Sequence, residues 1–153
     1  SWTAGEAPEL RRPASVRPWQ HVLEPLRGYL VFAEALASGR ELPPGLNFGP
    51  ADAQSVSVAE LTAFAASTWE RLAGSLPEPA WTQAATPGFE ETGELTLDSR
   101  LAAETLGWRS ELDWQSAVAL TLEWYAGARA GEAPAALVDR QLADYSAIVG
   151  RTS

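Results

Sequence analysis

Apolar residues recur at helical spacing in four stretches of the chain. Leu26, Tyr29, Leu30, Ala33 and Ala37 fall on one face, and Gly39 ends that run. Ser57 and Glu60 form an S-x-x-E capping box ahead of Leu61, Phe64, Ala65, Thr68 and Leu72. Gly74 closes this second helix, and Pro77 and Pro79 prevent it from resuming. Asp113 caps the clearest helix, whose stripe is Ala117, Leu120, Thr121, Trp124 and Ala128, with Gly131 at its end. A last helix, from about Pro134 to Val149, groups Val138, Leu142, Tyr145 and Val149. A shorter one, capped by Asp98, stops at Gly107.

Between these helices the pattern predicts short strands at Trp19–Val22, Leu46–Phe48, Ala80–Gln83 and Leu95–Leu97. The segment Ala84–Gly93 reads as an acidic, glycine-bearing loop. No internal repeat or low-complexity tract is present. The expected fold is α/β and helix-rich, with about five helices and short strands, and 153 residues suit one domain with a real core.

Charge and composition narrow the function. A net charge of −9 without a basic stripe argues against a nucleic-acid partner. The absence of cysteine excludes disulfides and thiolate metal sites. No apolar run approaches the length of a membrane span or a signal-type segment. All eleven basic residues are arginine, which with the abundant alanine fits a GC-rich genome. The chain opens on Ser1, and Trp2-Thr3-Ala4-Gly5 reads like the end of a helix already under way, so a piece of a longer protein is expected.

The most specific wording is Val16-Arg17-Pro18-Trp19-Gln20-His21-Val22-Leu23-Glu24-Pro25-Leu26, where one arginine, two aromatic rings and an amide precede a switch to helical period. It resembles the R-P-W-Q-H-V-x-E-P stretch of the CDP-glucose 4,6-dehydratases, a branch of the extended short-chain dehydrogenase/reductase family. Leu46-Asn47-Phe48-Gly49-Pro50 resembles that family's strand ending in an N-x-G turn. Leu95-Thr96-Leu97-Asp98-Ser99, followed by Ala103-Glu104-Thr105-Leu106-Gly107-Trp108, resembles its L-x-L-D-x-S/T-K-A-x-x-x-L-G-W. The three agree in order and spacing, from about Arg12 to Tyr145.

The resemblance implies the C-terminal, substrate-binding portion of a Rossmann-type enzyme, spanning 1–153, with the N-terminal dinucleotide-binding part absent. The implied whole is a cytoplasmic, bacterial, homo-oligomeric lyase of deoxysugar biosynthesis that uses NAD to convert CDP-glucose to a 4-keto-6-deoxy sugar. A related nucleotide-sugar epimerase or reductase, or a non-catalytic sugar-nucleotide-binding or scaffolding domain, are the alternatives.

The chemistry itself belongs to the missing half. Dinucleotide binding needs a G-x-G-x-x-G or G-x-x-G-x-x-G turn between strand and helix, and no three of the twelve glycines fit either spacing. The family's Y-x-x-x-K uses a lysine cation to lower a tyrosine pKa, and this chain contains no lysine. Its nearest echo is Tyr125-x-x-x-Arg129, inside a periodic helix where Tyr125 is expected to pack. Neither a catalytic residue nor a cofactor-binding or metal-ligating set is therefore expected here.

The candidate substrate-binding residues are Arg17, Trp19, Gln20, His21, Asn47 and Glu91. The resemblance assigns Arg17 to the nucleotide's diphosphate or ribose, which suits its planar fork; the plainer alternative is a surface ion pair. His21 is the only histidine and more simply a packed, hydrogen-bonded ring than a base or ligand. Trp19 and Gln20 border the implied ligand, and Asn47 either caps its turn or touches the nucleotide. The family's H-P-H-E-like segment aligns with Gly88-Phe89-Glu90-Glu91, so that Glu91 stands for its glutamate while Glu90 occupies a histidine position. A carboxylate beside a diphosphate is repulsive unless turned outward or protonated.

Overall fold

The computed structural model describes residues 1–50, 56–85 and 93–152. A 3₁₀ turn, Trp2–Ala4, leads into strand β1 (Glu9–Leu10), strand β2 (Val16–Arg17) and helix α1 (Leu23–Ala37). Strand β3 (Val56–Ser57) runs straight into helix α2 (Val58–Ala73), followed by strand β4 (Thr82–Gln83). Helices α3 (Arg100–Leu106), α4 (Trp114–Arg129) and α5 (Pro134–Thr152) complete the chain. Among the described residues, five helices with two-residue strands match the expected helix-rich α/β architecture.

The strands form two separate pairs. β1 lies parallel to β4, with Glu9 opposite Thr82. β2 lies antiparallel to β3, with Val16 opposite Ser57 and Arg17 opposite Val56. Glu94 adds a parallel bridge to Val16, through Val16 N–H to Gly93 O at 2.8 Å and Leu95 N–H to Val16 O at 3.2 Å.

Capping residues set the helix boundaries as the sequence predicts. Ser57 Oγ accepts from Glu60 N–H at 3.2 Å while Glu60 Oε2 accepts from Ser57 N–H at 3.0 Å, closing the capping box of α2. Asp113 Oδ1 accepts from Ser116 N–H at 2.7 Å and starts α4. For α3 the N-cap is Ser99, one position after the expected Asp98, whose Oδ1 accepts from Arg100 N–H at 3.0 Å. Gly107, at φ 69°, ends α3 in the left-handed region that a side chain would strain.

The core has two parts. Phe48, Ala102 and Trp108 form a buried cluster flanked by Phe32, Leu46 and Leu106, with the Phe48 and Trp108 rings edge to face at 5.0 Å. α2 and α4 pack side by side, sealed by Phe64 against Trp114 at 5.1 Å, and α5 closes over α4 through the fully buried Leu137.

Several expectations from the sequence meet the structure here. The strand expected at Trp19–Val22 forms earlier, at Val16–Arg17, because Pro18 lacks the N–H that would extend the ladder and a turn carries the chain into α1. Leu46–Phe48 and Leu95–Leu97 run without forming strands, apart from the single bridge beside Glu94. The Leu26, Tyr29, Leu30, Ala33 and Ala37 face of α1 lies at solvent, as exposed apolar surface on the helix after Pro25, with Leu30 72% exposed. The face that α1 buries carries Glu24, Gly28 and Ala35 instead. Tyr125, expected to pack, stands edge-on to Trp124 and is about half exposed.

Candidate functional site

The β2–β3 pair positions the first two candidates. Arg17 lies opposite Val56, and its Nη1 donates to Val16 O at 2.8 Å and to Gly93 O at 3.4 Å, which ties the end of the acidic loop to β2. Trp19 Nε1 donates to Val56 O at 3.2 Å, so its indole braces the same strand pair. Pairing with β3 thus brings Arg17 and Trp19 to one end of α2.

Gln20 turns the other way. Its Nε2 donates to Phe48 O at 2.9 Å and joins the Arg17 motif to the N-x-G segment. Asn47, one residue earlier, is exposed, and its Nδ2 donates to Asp98 O at 3.3 Å. Ser99 Oγ accepts from Gly49 N–H at 2.7 Å. The three motifs that the sequence spaces apart therefore meet through hydrogen bonds from Gln20, Asn47 and Ser99.

His21 is buried, and its Nδ1 accepts from Leu23 N–H at 3.3 Å in the first turn of α1. Burial holds its pKa below the ordinary imidazole value, so the ring is neutral at pH 7 with the proton on Nε2. Glu91, and Glu90 beside it, lie outside the described residues.

Two arginines that the sequence reading passed over lie nearby. Arg11, Arg12, Ser15, Ser57, Gln83 and Gly93 line a cavity of about 580 Å³, and Gly93 is the residue whose carbonyl Arg17 contacts. Two arginines thus line one cavity in a chain of net charge −9. The double arginine before Pro13 was the available signal.

Beneath α1 lies a second group of residues that the sequence did not advertise. Glu24 is fully buried; its Oε1 accepts from Glu111 N–H at 3.0 Å and Leu112 N–H at 2.8 Å. Tyr145 Oη donates to Glu24 Oε2 at 3.0 Å and accepts from Arg27 Nε at 3.0 Å. Arg27 also donates to Arg109 O, pairs with Glu111 at 3.3 Å and lies 5.6 Å over the Trp108 ring. Burial raises the Tyr145 phenol to about 12, so this hydroxyl remains a donor at any physiological pH. The network is structural, since it joins α1, α5 and the 109–112 turn.

Other polar residues are committed elsewhere. Arg129, in the Tyr125-x-x-x-Arg129 echo, donates to Ala73 O at 3.3 Å and stacks 5.9 Å over Trp69. Arg100 clamps Asp98 at 2.7 Å and holds that carboxyl down to about 2. Among the described residues the positive-φ glycines 5, 39, 74, 107 and 131 each follow the last turn of a helix, which presents carbonyl groups. A pyrophosphate cradle requires the opposite end of a helix. Among the described residues no trio of His, Asp or Glu is gathered for a metal ion, and no helix is long and apolar enough to cross a membrane.

No family model matches the chain. Over 143 residues, 93% of its length, it is 30% identical to the CDP-glucose 4,6-dehydratase of Salmonella typhimurium. The chain spans 38% of that protein. The similarity to a CDP-glucose 4,6-dehydratase, legible in three short motifs, thus extends across nearly all of this chain.

Proposed function

We propose that this chain is the nucleotide-sugar-binding portion of an NAD-dependent 4,6-dehydratase acting on CDP-glucose. The similarity over 93% of the chain carries the reading. The arginines at 11, 12 and 17, grouped around Gly93, support it, because a diphosphate is the part of such a substrate that most needs cationic, fork-shaped donors.

In this reading Arg17 holds the diphosphate or ribose, and Trp19, Gln20, His21, Asn47 and Glu91 border the substrate. Arg17 stays charged at every accessible pH, which suits binding and not proton transfer. NAD supplies the hydride exchange, and it is held by a dinucleotide-binding part elsewhere in a longer protein, as is the tyrosine base. The residues of this chain bind and orient.

Titration of the chain with CDP-glucose and, separately, NAD⁺ tests the reading. CDP-glucose is expected to bind, and Arg17→Ala to weaken it by about ten- to a hundred-fold, the roughly 1.5–3 kcal/mol of hydrogen bonds to a charged group. NAD⁺ is expected not to bind. Unaltered CDP-glucose affinity in Arg17→Ala would remove Arg17 from the site, and tight NAD⁺ binding would overturn the division of labour.

A further inference from the structure

Helix α1 begins without the side-chain cap that opens α2 and α4, because Val22 stands at its N-cap and offers no acceptor. His21 supplies one instead. Its Nδ1 accepts from Leu23 N–H at 3.3 Å, and its carbonyl accepts from Glu24 N–H at 3.0 Å. Pro25 has no N–H, and Leu26 N–H reaches Val22 O at 3.3 Å. One histidine therefore satisfies the two donors that the opening of the helix leaves over.

This cap works only while the ring is neutral. An imidazolium carries a proton on both nitrogens, so Nδ1 would stop accepting and would meet the Leu23 N–H donor to donor. The new charge would also lie at the positive end of a 15-residue helix. The residues packed against this turn do not offset it. They are Thr121, Trp124 and Tyr125 of α4 and Val138 and Gln141 of α5; Tyr125 is the one titratable side chain among them, and no carboxylate or guanidinium takes part. On α1 itself, the Glu24 carboxylate is engaged with Glu111 N–H, Leu112 N–H and Tyr145, and Arg27 with Arg109 O, Glu111 and Tyr145.

Leu23 is joined directly to Glu24, the residue that ties α1 to the 109–112 turn and to α5. We propose that His21 is a proton-operated latch on the first turn of α1. Protonation at Nδ1 releases Leu23 N–H, the turn leaves its helical path, and Glu24 is drawn away from Glu111, Leu112 and Tyr145. The change is local, since His21 is the only histidine and the caps of α2 and α4 rest on Ser57 and Asp113.

Nuclear magnetic resonance of the ¹⁵N-labelled chain, from about pH 7.5 to about pH 5, tests it across the ordinary histidine range. The single histidine gives one ring signal, which reports the titration directly. The amide signals of Leu23, Glu111 and Leu112 are expected to shift along the same curve as the ring, while the indole signal of the buried Trp69 on α2 stays in place. In His21→Asn the side-chain oxygen can accept in place of Nδ1 and does not titrate, so the three amides are expected to hold their neutral-pH positions throughout. Amides that stay in place while the ring titrates would overturn the latch, as would a ring that remains neutral down to about pH 5. The same shifts in His21→Asn would assign them to carboxylates and overturn it as well. Loss of every signal together, Trp69 included, would mean global unfolding in place of a latch. The parent titration decides alone if the His21→Asn chain does not fold.

Discussion

Tyr145 on α5 donates a 3.0 Å hydrogen bond to the buried carboxylate of Glu24 on α1, across 121 positions of the chain. Glu24 satisfies two backbone N–H groups of the 109–112 turn at the same time, so one carboxylate joins three distant segments. An unmatched buried carboxylate oxygen is costly, which makes the phenol more than a packing group.

Tyr145→Phe is therefore expected to destabilise the chain by roughly 1–3 kcal/mol, the penalty for leaving a buried polar group without its partner. Urea denaturation measures it. A loss below a few tenths of a kcal/mol would show that water replaces the hydroxyl.

His21 gives the fold a pH dependence of defined sign. Burial lowers its pKa in the folded state, so the unfolded chain binds the proton more readily. Its contribution is complete above the unfolded value of about 6.5 and is lost progressively as the pH falls below it. The chain is expected to lose stability in that window, and His21→Gln to flatten the curve between pH 7 and 5. Parallel curves for the two proteins would exclude His21 as the source.

Gly28→Ala tests the close approach of α1 to the aromatic cluster. A Cβ there would sit 2.6 Å from Cγ of Phe48, whose ring is already locked against Trp108. Alanine improves helix propensity by about 1 kcal/mol, but overpacking costs roughly 1–3 kcal/mol. Net destabilisation is expected in thermal melts, and a raised Tm would mean that the Phe48 ring moves aside freely.

The outward apolar face of α1 predicts association. Leu26, Tyr29, Leu30, Leu142 and Val149 line one groove between α1 and α5, a surface of the kind that drives protein contacts. Light scattering of the isolated chain is expected to show oligomers or aggregates, and Leu30→Glu to reduce them while leaving the Tm unchanged, since Leu30 is 72% exposed. A parent chain that stays monomeric at high concentration would refute this.

Local chemistry was legible in the sequence. Ser57 with Glu60 and Asp113 with Ser116 form their caps because such hydrogen bonds span three residues and need no partner from elsewhere. Gly74, Gly107 and Gly131 end their helices because only glycine adopts positive φ without strain. The three family motifs were legible for a different reason: each is a contiguous run of residue types, and contiguity survives without coordinates.

What depends on distant partners was not legible. Helical period identified the Leu26–Leu30 face of α1 but not its side; the structure turns it to solvent and buries Glu24 instead, because the carboxylate finds Leu112 and Tyr145. Strand length was likewise set by pairing, since β2 and β3 exist only where Val16 and Ser57 meet. The sequence by itself determined the helices, their caps and the arginine motif, all products of short-range geometry. Tertiary structure alone decided which side of α1 is buried, that Arg11 and Arg12 share a cavity next to Gly93, and that Gln20 faces α4 and α5. Each of those rests on atoms brought together from dozens of residues apart.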